Sequence, residues 1–309
     1  GDNDKGQGGT GITRIMIRLL FSLLFLICCP AVMSAGGWCR QWISADSVGD
    51  SQLWFLRTLI LPSQPVEARL EAISGGRVCI YVNGYNATTD ILAPYKQGDK
   101  VLKSIGCDIL PYITDDTCRI AVWYSPFLRE IKSKHLSLTV WCRYPDGQRQ
   151  SYVSDSNWSW VMAPAETNGN DECFNSLAMY DKWNIDELPA PMLLPVRVSS
   201  GSYYEPSEPY TPQYIRHIYS CKKISATPTS LTYLSPSPFC GWVRVTLRGM
   251  KRGATLSVNG FDYICNGDID EQACRRFTIS PVATDHIEIR CSSGITADNV
   301  MSVEAIDID

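Results

Sequence analysis

Two segments of this chain repeat one another around an Asn-Gly pair, and this repeat strongly constrains the fold. The first segment is Val78-Cys-Ile-Tyr-Val-Asn-Gly-Tyr-Asn86, and the second is Thr255-Leu-Ser-Val-Asn-Gly-Phe-Asp-Tyr-Ile-Cys265. In each segment, strand-forming residues lead into Asn-Gly, which two-residue hairpin turns favour because both turn positions need a positive φ. The repeat therefore predicts two β-hairpins, one in each half of the chain.

The remaining sequence supplies a series of short strand patterns separated by turn residues. Alternation of apolar and polar residues, or short apolar runs, marks these segments: Leu53 to Leu61, Val66 to Ile73, Cys118 to Tyr124, Leu136 to Arg143, Gln213 to Cys221, Gly241 to Arg248 and Asp285 to Arg290. Helical periodicity is almost absent. This spacing predicts an all-β protein of two consecutive β-sandwich domains of the jelly-roll or galactose-binding type. A Ser-, Gly- and Pro-rich stretch sets the boundaries, which are 38–198 for the first sandwich, 199–212 for a linker and 213–309 for the second.

Residues 1–36 have the pattern of upstream residues followed by a secretory signal peptide. Met16-Ile-Arg18 precedes the apolar run Leu19 to Cys29, and small residues follow as far as Gly37. The apolar run is shorter than the roughly 20 residues that a membrane helix needs. We therefore expect export to the periplasm, the outer-membrane surface or the medium, with no membrane span after cleavage.

Charge and cysteine content narrow the choice of partners. The chain has 28 basic and 32 acidic residues, a net charge of −4, and no Lys/Arg-rich run after the leader, which argues against a nucleic-acid partner. Its 13 cysteines include no Cys-x-x-Cys pair, so a zinc site is disfavoured. Small apolar core residues and disulfides remain alternative roles for these cysteines.

An ordered set of motifs resembles a known enzyme family. The motifs are Trp42-Ile43, Trp54-Phe-Leu-Arg57, Ala68-Arg-Leu70, Gly75-Gly76, Tyr81-Val-Asn-Gly84, Leu92-Ala-Pro94, Asp155-Ser-Asn-Trp158, Tyr180-Asp181 and Pro195-Val-Arg-Val198. Their succession resembles the N-terminal β-sandwich of bacterial α-L-rhamnosidases. Phe239 to Gly249, followed by Lys251 to Leu256, is similar to the next β-domain of that family, although Ser235-Pro-Ser-Pro-Phe-Cys240 replaces its Asp-Phe-Gly-Gln-Asn stretch.

This resemblance implies an accessory module without catalysis. In the enzymes, a helical (α/α)₆ barrel follows these domains and supplies the catalytic acids, whereas this sequence ends at Asp309. We therefore expect an exported, non-catalytic carbohydrate-binding protein whose partner is a glycan, such as one that contains rhamnose. Two alternatives stay open: a structural or protein-interaction module at the cell surface, and a residual glycoside hydrolase.

Carboxylate pairs are the feature on which a residual hydrolase would depend. Such pairs occur at Asp115-Asp116, Asp171-Glu172 and Asp186-Glu187, all in polar, turn-like stretches. Glycoside hydrolysis needs two carboxyls that face one another across a sugar, whereas solvated loop acids are the ordinary interpretation of adjacent pairs. We therefore predict no catalytic residues.

Loop aromatics are the candidate sugar-binding residues, because Trp and Tyr rings stack on the apolar faces of sugars. The candidates are Tyr85 beside the first hairpin, Tyr95 in the Leu-Ala-Pro loop, and Trp158 and Trp160 in Asn-Trp-Ser-Trp. Packing beneath loops is the alternative role for all four rings.

One acidic loop could hold a cation. Asn266-Gly-Asp-Ile-Asp-Glu271 alternates side chains with oxygen ligands, among them Asp268, Asp270 and Glu271, which suit calcium, but it lacks the complete EF-hand pattern. An acidic hairpin loop is the alternative. We predict no required cofactor, with calcium as the ion that this loop could bind.

Overall fold

The computed structural model describes residues 41–46, 49–128, 134–200, 208–280 and 282–309. The predicted leader, residues 1–36, lies outside the described residues, and so do Tyr203 and Tyr204 of the predicted linker. The described residues all belong to one compact unit.

Twenty-three strands account for most of the described chain. The strands of the first half are β1 (Gln41–Ala45), β2 (Ser51–Ile60), β3 (Glu67–Ser74), β4 (Gly76–Val82), β5 (Tyr85–Asn86), β6 (Lys103–Asp108), β7 (Thr117–Pro126), β8 (Lys134–Arg143), β9 (Arg149–Val153), β10 (Ser159–Asn168), β11 (Asp171–Asn175), β12 (Leu194–Pro195) and β13 (Arg197–Ser200). The later strands are β14 (Glu208–Pro209), β15 (Ile215–Ser220), β16 (Lys222–Ala226), β17 (Ser230–Phe239), β18 (Gly241–Leu247), β19 (Thr255–Val258), β20 (Phe261–Ile264), β21 (Glu271–Ala273), β22 (Thr284–Cys291) and β23 (Val300–Ile308).

Helical structure in the described residues is limited to short 3₁₀ turns. These turns are Leu110–Tyr112, Ser176–Ala178, Ala190–Met192 and Ala297–Asn299. In the part of the chain that the structure describes, no helix is long and apolar enough to cross a membrane.

The strands form three sheets, one of which is shared by both halves of the chain. The first sheet has the order β13-β1-β8-β3-β6-β14, with β9 on β8. The shared sheet has twelve strands, in the order β16-β17-β22-β19-β20-β11-β10-β2-β7-β4-β5, with β12 on β10. The third sheet has the order β15-β23-β18-β21.

Two hydrophobic cores give the fold its two sandwiches. The first core packs residues of the first sheet, such as Leu70 and Leu138, against residues of the shared sheet, such as Phe55 and Val122. The second core lies between the third sheet and the other end of the shared sheet. Alternating inward residues are what two face-to-face sheets require. The prediction of an all-β protein with two consecutive sandwiches is confirmed.

The two sandwiches are joined through β11 and β20, which run parallel inside the shared sheet. Their register pairs Glu172 with Phe261 and Phe174 with Tyr263, and the latter two rings stack with centroids 5.9 Å apart. A third apolar cluster covers the opposite face of β2, β7 and β10 and includes Trp54, Trp123 and Trp183. The sheet is therefore buried on both faces where the halves meet.

Both Asn-Gly turns have the predicted positive φ values, and the asparagine side chain makes equivalent hydrogen bonds in each of them. Asn83 has a φ of 48° and Asn259 a φ of 44°, and the following glycines are also positive. The Asn83 side chain accepts from Arg119 N and donates to Thr117 O, both in β7. The Asn259 side chain accepts from Glu288 N and donates to His286 O, both in β22. In each half the asparagine side chain thus hydrogen-bonds to the backbone of the strand beside the hairpin, as a paired strand residue would.

The ends of the predicted 199–212 linker belong to sheets. β13 pairs with β1, and β14 pairs in parallel with β6. Tyr210 packs against the first core, and its hydroxyl donates to Asp90 Oδ2. The chain therefore returns along the first sandwich before it enters the second.

Candidate functional site

A polar cleft of about 860 Å³ opens beside the junction of the two sandwiches. We call it the junction cleft. Its described lining consists of residues 49–50, 77, 97–100, 126–128 and 167–170 of the first half and 277–278 of the second. Ligand sites often lie at such boundaries, where loops from two bodies converge.

Arg77, on β4, is a buried cation in the wall of the cleft. Its side chain donates from Nε to Tyr95 O (3.0 Å) and from Nη1 to Phe277 O (2.6 Å). The guanidinium carbon lies 4.3 Å from the centroid of the Phe127 ring, which is cation–π geometry. Burial lowers the pKa of Arg77 to about 10, and the charges of Glu172 and Asp99 oppose that change. Its Nη2 is buried and has no hydrogen-bond partner among the described residues.

The rim of the cleft carries amide, carboxylate and ammonium groups. Gln97 Nε2 donates to Asn170 Oδ1 (2.9 Å) and so links two of the lining loops. Asp99 Oδ2 accepts from the backbone N of Lys96 and from Lys103 Nζ, each at 2.8 Å. The Lys100 side chain is exposed. The rim thus offers both donors and acceptors, as recognition of sugar hydroxyls requires.

Glu172 fixes the wall that the second half contributes. Its Oε2 accepts from the backbone N of Arg276, Phe277 and Thr278 at 3.0 to 3.1 Å and from Thr278 Oγ1 at 3.1 Å. Its Oε1 accepts from Gln52 Nε2 at 3.2 Å. A carboxylate held by successive backbone N–H groups is an anion nest made within one chain. This nest holds Phe277 and Thr278 against the first sandwich.

Arg275 adds a second set of bonds across the junction. Its Nη1 donates to Thr278 Oγ1 (2.8 Å) and to Asn170 O, and its Nη2 donates to Asn259 O. Burial lowers the pKa of Arg275, and the charges of Glu172 and Asp171 act in the opposite direction. The turn between β10 and β11 and the loop after β21 are therefore held as one polar body under the cleft.

The four predicted aromatics are not brought together. Tyr85 is 62% exposed at the first hairpin and stacks on Tyr112, with ring centroids 5.7 Å apart. Tyr95 is fully buried: its hydroxyl donates to Ser74 O, and its ring stacks on Phe127. Tyr95 therefore lies under the cleft wall, and its ring is not accessible to a sugar.

Trp158 and Trp160 are also core residues, which corrects the expectation that they form a sugar platform. They are 2% and 5% exposed, respectively, and both belong to the first core. Trp160 Nε1 donates to Pro195 O at 3.0 Å, so the polar atom of the ring is already bonded. Residues two apart in a strand face the same side of the sheet, and here that side is the interior. Tyr85 is the predicted aromatic that remains available to a ligand.

The predicted acidic loop does not gather its carboxylates around a common point. Glu271 is buried and accepts from the backbone N of Asn266 and Gly267 and from Tyr263 Oη. Asp270 pairs with Arg248. Across the described ranges, no group of three or more His, Cys, Asp or Glu side chains is placed to hold a metal ion. Asp268, Asp270 and Glu271 therefore belong to an ordinary acidic loop that connects β20 of the shared sheet to β21 of the third sheet, and Glu271 holds its backbone.

The junction cleft was not anticipated from the sequence. Its lining residues are dispersed over six segments, and most are ordinary turn residues. One signal was present, because Arg77 is a charge at the start of the apolar strand Arg-Val-Cys-Ile-Tyr, where burial demands a partner. Phe127, Asn170 and Thr278 carry no comparable signal.

Solved structures of α-L-rhamnosidases share this fold. The chain matches the enzyme of Dictyoglumus thermophilum with a TM-score of 0.76 and 19% identity, over 89% of this chain and 36% of that one. It matches the Streptomyces avermitilis enzyme, solved with L-rhamnose, with a TM-score of 0.72 and 16% identity, over 84% of this chain and 29% of that one. For the Aspergillus terreus enzyme the TM-score is 0.72 and the identity 15%, over 87% and 36% of the respective chains.

These matches confirm the resemblance at the level of the fold. The chain spans about a third of the length of these enzymes. No family model and no curated protein matches the chain. The described residues have the architecture of the β-sandwich portion of an α-L-rhamnosidase, and a helical barrel is absent from them.

Proposed function

We propose that this protein is a non-catalytic carbohydrate-binding accessory module whose ligand occupies the junction cleft. The observation that carries the proposal is the open cleft itself, which presents amide and charged side chains on several loops. Such side chains donate hydrogen bonds to the hydroxyls of sugars and accept hydrogen bonds from them. The fold shared with α-L-rhamnosidases supports a role beside a glycan.

The proposal predicts that substitutions in the cleft reduce glycan binding without unfolding the protein. Asn168 is exposed and lines the cleft, so Asn168→Ala removes a polar contact at little structural cost. Gln150, exposed on β9 of the first sheet and outside the described lining, is the matched control site for Gln150→Ala. Isothermal titration of the full chain with oligosaccharides from plant and bacterial polysaccharides, including rhamnose-containing ones, measures the effect.

We expect Asn168→Ala to weaken binding by about 3- to 10-fold, the effect of losing one or two hydrogen bonds of ordinary strength. Gln150→Ala should bind as the parent does. An absence of binding heat with every oligosaccharide would refute the proposed function.

Tyr85 is proposed as a second, separate contact for sugar. Its exposed ring lies on the hairpin and is backed by Tyr112. Tyr85→Ala should leave folding intact and weaken only long oligosaccharides if the ring acts as a stacking platform. Equal affinity of the parent and the variant for every chain length would remove Tyr85 from the binding site.

Protein interaction is a second candidate function, favoured by the end of the shared sheet. Every side chain of β16 is exposed, including Ile224, and β16 has β17 on one side and an open edge on the other. Open edges accept strands from other chains. Ile224→Asp should then abolish capture of a partner while the glycan affinity persists; retained capture would exclude this edge.

Export is proposed from the leader-like segment alone. Mass spectrometry of the mature protein recovered outside the cytoplasm should show an N-terminus between Ser34 and Gly37. An intact N-terminal segment in a cytoplasmic fraction would contradict export.

A further inference from the structure

The surroundings of Arg77 leave one of its nitrogens without a hydrogen-bond acceptor and give its charge no direct ion pair. The side chain is 2% exposed, and its Nη2 has no hydrogen-bond partner in the described chain. Buried guanidinium groups are ordinarily bonded at every nitrogen, because an unmade bond costs the desolvation of the group. Phe127 covers the guanidinium but offers only the quadrupole of its ring.

The two carboxylates that act on Arg77 are both already bonded to other groups. Glu172 accepts five hydrogen bonds, from Gln52 and from the 276–278 segment. Asp99 is paired with Lys103 and with the backbone of Lys96. Neither residue donates or accepts a hydrogen bond with Arg77. The charge of Arg77 is thus offset from a distance and not by a direct ion pair.

The cleft mouth adds another cation. Lys100 is exposed at the rim, next in sequence to Asp99, which pairs with Lys103. Asp50 is also on the rim and is an acidic group that an incoming anion would have to avoid. Arg77 and Lys100 therefore favour a negative group in the cleft, whereas Asp50 favours hydroxyl donors.

We infer that the junction cleft selects saccharides that carry a carboxylate, with a uronic acid unit held by the charges of Arg77 and Lys100. A carboxylate is attracted by both cations, and a charge-assisted hydrogen bond to it is stronger than one to a neutral hydroxyl. The inference rests on the proposed carbohydrate-binding function and narrows it to one ligand class. The contact is electrostatic, so the affinity for the acid depends on ionic strength.

The decisive comparison uses one sugar backbone in two charge states. Tetragalacturonate and its fully methyl-esterified form are titrated into the full chain at 50 mM and 500 mM NaCl. We expect the acid to bind at least 10-fold tighter than the ester at low salt, and this advantage to shrink several-fold at high salt. The ester should show little salt dependence, because it carries no charge.

Variants identify the residues that produce the preference. Lys100→Gln changes an exposed side chain and should lower the affinity for the acid by about 3- to 5-fold while leaving the ester unchanged. Arg77→Gln removes the charge and should lower the preference for the acid several-fold. Should Arg77→Gln not fold, Lys100→Gln decides the question. Lys251→Gln, exposed outside the described lining of the cleft, is the control.

The possible failures are distinguishable. Equal affinity for the acid and the ester, or a Lys100→Gln variant with the parent's preference, overturns the inference and leaves the proposed function standing. Binding of neither form nor of any other glycan overturns both. Inorganic phosphate that displaces the acid at equal concentration would show a general anion site and overturn selection for a saccharide.

Discussion

Removal of the Glu172 carboxylate is expected to be the most damaging single change at the junction. The side chain is buried on β11 and receives five hydrogen bonds, three of them from consecutive backbone N–H groups of the second half. Glu172→Ala leaves these donors without an acceptor and removes a carboxylate whose charge raises the pKa of Arg275. Among the described residues, Glu172 is the acceptor for all three backbone N–H groups of the 276–278 segment.

The expected loss of unfolding free energy follows from the five hydrogen bonds of Glu172. Five unsatisfied donors at about 1 kcal/mol each, reduced by water that enters the vacated space, give a loss of about 4 kcal/mol, within the range for breaking a buried charge pair. Glu172→Gln keeps the volume and one acceptor oxygen, but its NH₂ then faces a donor, either Gln52 Nε2 or the backbone nest. We expect that variant to lose about 2 kcal/mol of unfolding free energy.

Urea denaturation followed by tryptophan fluorescence and by circular dichroism measures these losses. With an m-value of about 3 kcal/mol per M, Glu172→Ala lowers the midpoint by about 1.3 M. Asp181→Asn, at an exposed position with no hydrogen bond or ion pair among the described residues, is the control and should stay within error of the parent. A Glu172→Ala protein within about 1 kcal/mol of the parent would refute the reasoning, because the nest would then contribute no net stability.

Three further predictions concern the hairpins, the cysteines and catalysis. Asn259→Ala should lower the unfolding free energy by about 2 to 3 kcal/mol in the same urea assay, because the variant loses two side-chain hydrogen bonds to β22 and alanine must adopt a positive φ. A loss below about 0.5 kcal/mol would contradict this prediction. Burial raises the pKa of Cys118 and of Cys265 to about 12, above the ordinary thiol value. The stability that these protonated thiols contribute is complete below about pH 8.5 and is lost as the pH rises from there towards 12. The urea midpoint should therefore fall between about pH 8 and 10, and it should fall less in Cys118→Ala. A midpoint that rises over this range would contradict the prediction. Aryl rhamnosides should not be hydrolysed by the parent or by the Asp50→Asn and Asp99→Asn variants; turnover by the parent that either substitution abolishes would establish a hydrolase.

Turn chemistry and strand periodicity were sufficient to predict the fold class. The Asn-Gly turns form as predicted because their conformation is decided by the two turn residues themselves. β17 went unpredicted because Pro236 and Pro238 make its second half look like a turn. In the structure the pairing of β17 with β22 shifts register between Leu234 and Phe239, where these prolines lie.

The site was harder to predict because it is made by pairing between distant segments. Alternation in Asn-Trp-Ser-Trp indicates that Trp158 and Trp160 face the same side, but not which side of the sheet is buried. The parallel pairing of β11 with β20 joins residues from the two halves, and no local pattern announces it. Arg77 becomes a cleft residue only after that pairing brings Phe277 against it.

The shared sheet predicts how the protein behaves when it is divided at the predicted 199–212 linker. A fragment of residues 213–309 lacks β11, so the edge of β20 is open and the ring of Tyr263 loses its stack with Phe174. A fragment of residues 38–198 keeps Glu172 but lacks the backbone nest that compensates its buried charge. Each fragment alone should therefore be aggregation-prone or partly unfolded, and co-expression should recover a 1:1 complex because the β11–β20 ladder and the Glu172 nest are both restored. Size-exclusion chromatography measures the association of the fragments, and circular dichroism measures their folding. If both fragments are folded and monomeric and do not associate, the sheet does not couple the two sandwiches, and the junction cleft cannot depend on that coupling for its shape.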